Sequence, residues 1–599
     1  MKRIFFLATF LIGAILLQAQ ESKLADQYYR DGEYEKAAVL YEKLYNESAY
    51  NDVFFDRYVE CLLALEDFDN CEKVIKKQLK KFPENVSLYV AYGKLFERQV
   101  KYEEADEQFR QAIDLLPPDQ YTITKLANNF MLLTKYEQAI ETYEKGTKLL
   151  NDEQIFAYNL GELYRRKGDI PEMITSYLNS IDSDPAKLNN VKSIFQRSLG
   201  KDDYQELQVQ LYNRIQEKPE SEYYPEMLSW VFLQQKDYQN AFRQARALDR
   251  RLKENGGRVN RIAEIAAEDK AYDAAIMAYE YIIQEKGPSC TYYIDAKRES
   301  LRCKRKRLVE GYSYQMEELL QLEQEYESFL SEFGRSKITA NLILELAELE
   351  ALYINNLDKA IVMLNEMIEY PGININLQAM GKINLADYYL MQGERWEATL
   401  LYSQVDKVFK EDVLGHEARF RNARLSYYTG NFEWAQAQFD ILKASTSKLI
   451  ANDALDLSVF IMDNLGLDTT AQSLQLYADA ELLVFQNRFD EAFVKLDSIT
   501  ALFPEHSLGD DVMYLKAQVY KKKREYETAA ELFQHIVDNY PEEIRADNAL
   551  FELAELYERH LGDIEKAKTL YETLFIDHSD STLAVEARKR FRLLRGDNI

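Results

Sequence analysis

The sequence predicts an all-α protein, a right-handed α-solenoid of about 14–15 helical hairpins in two arrays, closed by a C-terminal capping helix. Three observations support this fold class. The chain has 599 residues, more than a single hydrophobic core serves, so it must divide into domains or repeats. It contains only 21 glycines and 11 prolines, which favours helices with short connections. Small residues also recur at a fixed spacing along its first half.

The first half carries a strict repeat. One position recurs at a constant interval, at Ala25, Val59, Gly93, Ala127, Gly161, Phe195, Ser229 and Ala263. Two antiparallel helices approach closely only where a side chain is small, and Gly93 is expected to face Ala105 across such a contact. The interval predicts eight 34-residue units over residues 20–289, of which those around Phe195 and Ser229 are degenerate.

The second half repeats the pattern less strictly. Over residues 337–580 a small residue is again followed by an aromatic residue three positions later, as at Ala386 and Tyr389. In two units the spacing between equivalent small residues of the two helices is 13 rather than 12, from Ala347 to Ala360 and from Ala554 to Ala567. We therefore predict a second array whose units vary in length.

Three further segments complete the predicted organisation. Residues 290–336 fit the repeat poorly and are predicted to form a long helical hairpin that links the two arrays. The segment from Ser445 to Leu474 is also irregular. Residues 581–599 are predicted to form a polar capping helix and tail, because a solenoid must cover the apolar face of its last repeat.

The order of small residue, aromatic residue and terminal proline, as in Gly93, Phe109 and Pro117, resembles the tetratricopeptide repeat family. The stretch from Phe503 to Arg595, which contains Tyr540-Pro541, is also similar to periplasmic members of that family in outer-membrane barrel assembly and Tol–Pal coordination. The resemblance implies a scaffold for protein complexes, with no chemistry and no cofactor of its own.

The N-terminus has the features of a cleavable signal peptide over residues 1–19. Lys2 and Arg3 precede an apolar run from Ile4 to Leu17, and cleavage is expected after Ala19. The run is shorter than the ~20 residues that span a bilayer, and no later stretch is apolar enough to do so. We expect a periplasmic protein without a transmembrane segment in its mature form, and peripheral association with an outer-membrane complex is compatible with this.

The net charge of −27 disfavours nucleic acid as a partner, because an acidic surface repels phosphates. One basic run departs from this trend and contains Lys297, Arg298, Arg302, Lys304 and Arg305. These cations form either a solvated helix face or a dock for an acidic partner or anionic lipid headgroups. The sequence leaves both interpretations open.

No pattern in the sequence indicates catalysis or metal binding. None of the five histidines has a second histidine at the spacing of a zinc-binding helix or finger. A glycine-rich phosphate loop is also missing, and no stretch of about 100 residues outside the repeats could form a catalytic domain. The chain is therefore predicted not to be an enzyme and to bind neither a metal nor a cofactor.

The four cysteines are too few for a disulfide scaffold. In an oxidising compartment Cys61 and Cys71 could pair across neighbouring helices. The alternative is that they pack as buried thiols.

Partner-binding residues are expected on the first helix of each unit, which lines the concave side of a solenoid. Spacing from the small positions turns nine side chains to that side: Tyr121, Asn128, Tyr158, Asn159, Glu162, Arg165, Arg166, Tyr223 and Trp230. Family members that grip extended peptides use paired asparagines, and the resemblance implies this role for Asn128 and Asn159. Ordinary solvated asparagine is the alternative, and Tyr223 and Trp230 are either binding hot spots or core.

These observations favour a non-catalytic protein-binding scaffold or adaptor of a bacterial cell-envelope complex, whose partner is a protein or an extended peptide. The alternative function is a chaperone-like module that holds extended peptides or exported proteins in transit. A hydrolase with an unrecognised site is a third hypothesis. It requires a closed pocket with perturbed ionisable groups, which open grooves rarely provide.

Overall fold

The computed structural model describes residues 20–48, 51–310, 314–445, 447–465, 471–504, 506–543 and 545–597. Within these ranges every regular element is a helix, and no strand occurs. The predicted all-α solenoid of helical hairpins is thereby confirmed. The predicted signal peptide lies outside the described residues. The chain forms two compact units, Met1–Ala296 and Lys297–Ile599.

In the first unit consecutive helices pair into hairpins, eight of them among its described residues, and the odd-numbered helix comes first in each. The helices are α1 (20–30), α2 (Tyr34–Glu47), α3 (Asp52–Ala64), α4 (Phe68–Lys81), α5 (Val86–Arg98), α6 (Tyr102–Asp114), α7 (Gln120–Leu132), α8 (Tyr136–Leu150), α9 (Ala157–Lys167), α10 (Ile170–Ser183), α11 (Leu188–Ser198), α12 (Asp203–Glu217), α13 (Tyr223–Gln234), α14 (Tyr238–Leu252), α15 (Gly257–Glu268) and α16 (Tyr272–Tyr281).

The second unit continues the series from α17, a helix that crosses the boundary between the units. Its helices are α17 (Tyr293–Glu310), α18 (Met316–Phe333), α19 (Ala340–Leu349), α20 (Leu357–Ile368), α21 (Ile375–Gln392), α22 (Arg395–Val408), α23 (Val413–Tyr428), α24 (Phe432–Leu442), α25 (Lys448–Leu465), α26 (Gln472–Phe485), α27 (Phe489–Leu502), α28 (Gly509–Lys522), α29 (Tyr526–Asn539), α30 (Ala546–Leu556), α31 (Ile564–Asp577) and α32 (Ala584–Arg595). Helix α25 stands alone between the hairpins α23/α24 and α26/α27, and α32 packs on α31 as the predicted capping helix.

The recurring position of the first array, from Ala25 to Ala263, is buried in all eight hairpins of the first unit. A Cβ atom added at Gly93 would lie 2.3 Å from the Phe109 ring, and one added at Gly161 would lie 2.9 Å from the Tyr177 ring. The nearest neighbour of Gly93 is therefore Phe109, whereas the sequence had suggested Ala105. An aromatic ring of the second helix fills the space that the missing side chain leaves.

In every hairpin of the first unit except α11/α12, the turn contains a left-handed residue at a fixed place. In the first unit these residues are Gly32, Glu66, Val100, Thr134, Gly168, Lys236 and Lys270. Their φ angles lie between 57° and 82°, although left-handed backbone costs a residue other than glycine roughly 1 kcal/mol or more. The hairpin geometry thus imposes this conformation on whichever residue occupies the place.

The hairpin α11/α12 departs from the pattern. Its close-approach position holds the fully buried Phe195, and the turn residue Asp202 has a φ of −77° instead of a positive value. A phenylalanine is too large for the approach that Gly93 allows, so α11 and α12 pack less closely than the neighbouring pairs. This hairpin is one of the two that the sequence marks as degenerate.

Two hairpins of the second unit contain the extra residue seen in the sequence. In both, the first helix continues into a π-helical turn, Glu350–Ile354 after α19 and Tyr557–Leu561 after α30. A π-helical turn holds one residue more than an α-helical turn. It therefore absorbs the longer spacing while both helices keep their buried faces.

Replacing Gly93 by alanine tests the close approach. We expect Gly93→Ala to loosen the hairpin α5/α6 by about 1–3 kcal/mol, because the new methyl group would overlap the buried Phe109 ring. Hydrogen exchange of peptides from α5 and α6, measured on the full chain, should accelerate. Val100→Gly is the matched control in the same hairpin. Glycine adopts the left-handed conformation without the strain that β-branched valine has there, so this variant should not exchange faster than the parent. Unchanged exchange in Gly93→Ala would mean that the assigned register is wrong.

Candidate functional site

The first helices of the first unit face the inside of its curve. Lys125 on α7 reaches back two hairpins to Asp52 at the start of α3, with 3.1 Å between Nζ and Oδ2. Side chains two hairpins apart meet in this way only on the inner side of a curved stack. Further along the unit, Glu226 on the first helix α13 pairs with Lys192 on α11 at 2.9 Å and with Arg258 on α15 at 2.5 Å. We call this surface the inner face of the first unit.

Five of the nine predicted binding residues are exposed, all of them on α7 and α9, and the three that carry no charge are Tyr121, Asn128 and Asn159. The Tyr121 side chain is 74% exposed, and Asn128 and Asn159 are exposed as well. The amide Nδ2 of Asn159 donates a hydrogen bond of 3.3 Å to the Tyr143 hydroxyl. Neither asparagine is part of the core, so both amides are accessible to the backbone of a partner.

Glu162 lies in a cluster with three other predicted residues, Arg165, Arg166 and Tyr158. Arg165 donates to it through two nitrogens at 2.9 and 2.8 Å, and Arg166 donates at 3.0 Å. The Tyr177 hydroxyl donates at 3.2 Å, and Tyr158 packs edge-to-face on the Tyr177 ring with 5.4 Å between ring centroids. These hydrogen bonds, first that of Arg165, lower the pKa of Glu162 to about 2. One of the two arginine charges is therefore neutralised within the site.

The predicted aromatic residues Tyr223 and Trp230 on α13 are partly buried. The Tyr223 hydroxyl donates a hydrogen bond of 3.1 Å to Asp182, and the ring packs against that of Tyr224. The Trp230 ring lies 6.3 Å from that of Tyr204. Both side chains thus combine packing within the unit with an accessible edge.

The five cations of the predicted basic run lie on α17, and each forms an ion pair with a glutamate of α17, α18 or α19. Lys297 pairs with Glu332, Arg298 with Glu299, Arg302 with Glu299 and Glu345, Lys304 with Glu325, and Arg305 with Glu348. All but the first of these pairs have N–O distances of 2.8–3.0 Å. The positive charge of the run is therefore neutralised within the second unit.

The second unit has polar residues that the sequence analysis did not select. In the first unit Asn128 and Glu162 directly follow the small residue of a first helix. The same place is occupied by Asp387 on α21, Arg424 on α23 and Glu481 on α26. Extending the register of the first array into the second would have identified all three.

Two of these side chains are satisfied by their neighbours. Asp387 accepts hydrogen bonds from the Tyr402 hydroxyl and the Arg421 guanidinium. Arg424 Nε donates to the Tyr428 hydroxyl at 2.6 Å, and its guanidinium lies over the Tyr428 ring. Glu481 differs, because no cation of the described part of the unit lies within ion-pair distance of it, and burial raises the pKa of its carboxyl.

A cavity of about 830 Å³ opens beside Glu481, entirely within the second unit. Its walls come from α23, α25 and α26, from the turn before α30 and from the turn between α31 and α32. Phe420, Leu457 and Phe460 form the apolar part of the lining, and Asp453 and Asp456 of α25 are exposed in its wall. Helix α25 has no counterpart in the other hairpins, so no repeat signal could have located this wall.

One side of the cavity is held by the ion pair between Arg545 and Asp511, with 2.8 Å between Nε and Oδ1. The neighbouring Asp510 at the start of α28 is only 4% exposed. Burial, and then the negative charge of Asp511, raise the pKa of Asp510 to about 7. This carboxyl therefore changes its charge near neutral pH.

Two hairpins of the second unit match a known repeat family. Residues 511–543 and 548–581 match the model of the tetratricopeptide repeat family, and they coincide with the hairpins α28/α29 and α30/α31. The resemblance to the tetratricopeptide repeat family is thereby supported in these two hairpins. No curated protein sequence matches the chain.

Solved structures with a similar succession of helices include the following three. The Naa15/Naa10 complex bound to HypK-THB aligns over 97% of this chain and 94% of that chain, with 14% identity and a TM-score of 0.25. A tetratricopeptide repeat protein from Parabacteroides merdae covers 51% and 99%, with 13% identity and a TM-score of 0.28. Yeast Tom70 covers 93% and 99%, with 13% identity and a TM-score of 0.23. Scores this low carry no argument about the function of this chain.

Three further properties concern the described residues alone. No group of three or more histidine, cysteine, aspartate or glutamate side chains among them could hold a metal ion. None of their helices combines the length and apolar character needed to cross a bilayer. Cys61 and Cys71 are free and buried, as are Cys290 and Cys303.

Asp510→Asn tests the electrostatics at the start of α28. Because the folded pKa of about 7 lies above the unfolded value of about 3.9, ionisation destabilises the folded state increasingly as the pH rises from 4 to 7. The amide removes this penalty, so the variant should be more stable than the parent at pH 8 by on the order of 1–3 kcal/mol and equal to it near pH 4. Hydrogen exchange of α28 peptides at both pH values measures the difference. Asp538→Asn, at an exposed site of the same hairpin, should show no such trend.

Proposed function

We propose that this chain is a non-catalytic protein-binding scaffold of a bacterial cell-envelope complex. The observation that carries the proposal is the exposure of Tyr121, Asn128 and Asn159 on the first helices of neighbouring hairpins, where packing does not require them. Stacked hairpins hold such side chains at fixed spacing and without ordering cost, which suits a large surface for a protein partner.

The cell-envelope setting rests on the sequence. Residues 1–19 have the charged start, apolar run and small-residue end of a signal peptide. The stretch from Phe503 to Arg595 resembles periplasmic repeat proteins of outer-membrane assembly and Tol–Pal coordination. Together these features support export across the inner membrane and peripheral association with an outer-membrane complex.

A chaperone-like module that holds extended peptides is the second candidate function. The two exposed asparagines favour it, because each side-chain amide can donate to and accept from a peptide backbone at once. Tight binding of short unstructured peptides would support this candidate, whereas a scaffold should prefer a folded partner.

Replacing Asn128 and Asn159 together by alanine tests the inner face. If the inner face binds the partner, the double variant should recover at least ten-fold less of it from envelope extract, since a few central residues carry most of the binding energy. Folding should be unaffected because both side chains are exposed.

The matched control replaces Glu141 and Lys148 by alanine. Both are exposed on α8, the second helix of the hairpin that carries Asn128. The two double variants are compared at equal folded concentration. Equal recovery of partners by both would exclude these asparagines as the site.

The proposed export predicts a defined N-terminus. We expect the mature chain to begin at or near Gln20 and to fractionate with soluble envelope material, because the apolar run is too short to remain as an anchor. Mass spectrometry of the N-terminal peptide from each fraction checks this. An intact Met1 on a cytosolic product would contradict it.

A further inference from the structure

We propose that the cavity of the second unit binds an extended segment of a partner protein that is rich in lysine and arginine. The inference rests on the proposed function only in taking the partner to be a protein. It concerns a different unit and different residues from the inner face of the first unit.

The lining of the cavity is strongly acidic. Eight carboxylates contribute to it, those of Asp453, Asp456, Glu481, Glu542, Glu543, Asp547, Asp577 and Asp580, against the two arginines Arg424 and Arg545. Such a concave surface with one sign of charge concentrates field lines and attracts ligands of the opposite charge. An anionic ligand, including nucleic acid or a phospholipid headgroup, is repelled by it.

The charges of the two arginines attract three of these carboxylates from a distance, but neither arginine forms an ion pair with a carboxylate of the lining. Arg545 is committed to Asp511, which does not line the cavity, and its guanidinium lies between the rings of Phe460 and Tyr514 at 5.4 and 5.2 Å. Arg424 donates to the Tyr428 hydroxyl. Both cations are therefore held by other groups of the second unit.

Asp453, Asp456 and Glu481 make no ion pair with any described residue, although most carboxylates on the neighbouring first helices do. Neighbouring protein atoms withhold water from all three carboxyls and raise their pKa values, although the Asp453 and Asp456 side chains keep an exposed surface. The carboxylates at this wall of the cavity are therefore without an ion-pair partner among the described residues, and a bound cation would supply one.

The remaining lining fits the stems of basic side chains. Phe420, Leu457 and Phe460 offer apolar surface next to the carboxylates. Lysine and arginine place methylene groups on such a surface while their charged ends reach polar groups. A volume of about 830 Å³ holds a few residues of an extended chain and is too small for a folded domain.

Titration of the full chain with a labelled, unstructured peptide of alternating lysine and leucine tests the proposal by fluorescence anisotropy. The lysine peptide should bind, its affinity should fall steeply with added salt, and the same peptide with glutamate in place of lysine should not bind. Asp453→Asn combined with Asp456→Asn should weaken binding at least ten-fold. Both positions are exposed and the amides preserve their size, so the fold should persist.

Glu531→Gln combined with Asp538→Asn is the matched control, since it removes the same charge from exposed sites on α29. This variant should bind the lysine peptide as the parent does. Equal losses in both variants, absence of binding by the parent, or equal binding of the glutamate peptide would each overturn the proposal. So would binding of spermine without binding of the peptide, which would assign the cavity to a small polyamine. Because the assay needs neither Asn128 nor Asn159, its failure is distinct from failure of the proposed function.

Discussion

The fold depends on one constraint, the close approach of two helices across a turn with a left-handed residue. Glu66, Val100 and Thr134 adopt positive φ angles that each would avoid in isolation. They do so because burial of aromatic side chains such as Phe109 between the helices stabilises the hairpin by more than the strained turn costs. Where the approach fails, at Phe195, the left-handed turn is lost as well. The packing of each hairpin therefore determines the backbone conformation of its turn, and the left-handed position does not require glycine.

This constraint also decides where binding residues can be placed. The small residue and the aromatic rings occupy the buried faces of both helices, so only the inner and outer faces of the hairpins are available to partners. On the inner face of the first unit most charges pair within the unit, as Glu162 does with Arg165, and the exposed amides of Asn128 and Asn159 remain. In the second unit the added helix α25 brings Asp453 and Asp456 to a cavity in which neither forms an ion pair with a described residue.

The sequence predicted the features that depend on local spacing and missed those that depend on distant contacts. The constant interval between small residues predicted the hairpins. The longer spacing from Ala347 to Ala360 predicted an irregular hairpin, and the structure shows that the irregularity is a π-helical turn. Glu481 could have been predicted, because it directly follows the small residue Ala480. The position of α25 could not, since it follows no repeat and is set by contacts with helices far along the chain.

The two charged features of the second unit show why charge must be judged in three dimensions. The run on α17 is the most basic segment in its neighbourhood, yet Arg302 and Arg305 find Glu345 and Glu348 on α19, two helices further along the chain, and the run ends up neutral. The cavity draws its carboxylates from several separate segments, none of which is conspicuous in the sequence. Because a partner responds to charge that the fold leaves unpaired, the second unit favours a basic partner, opposite in sign to the acidic one that the run on α17 alone would suggest.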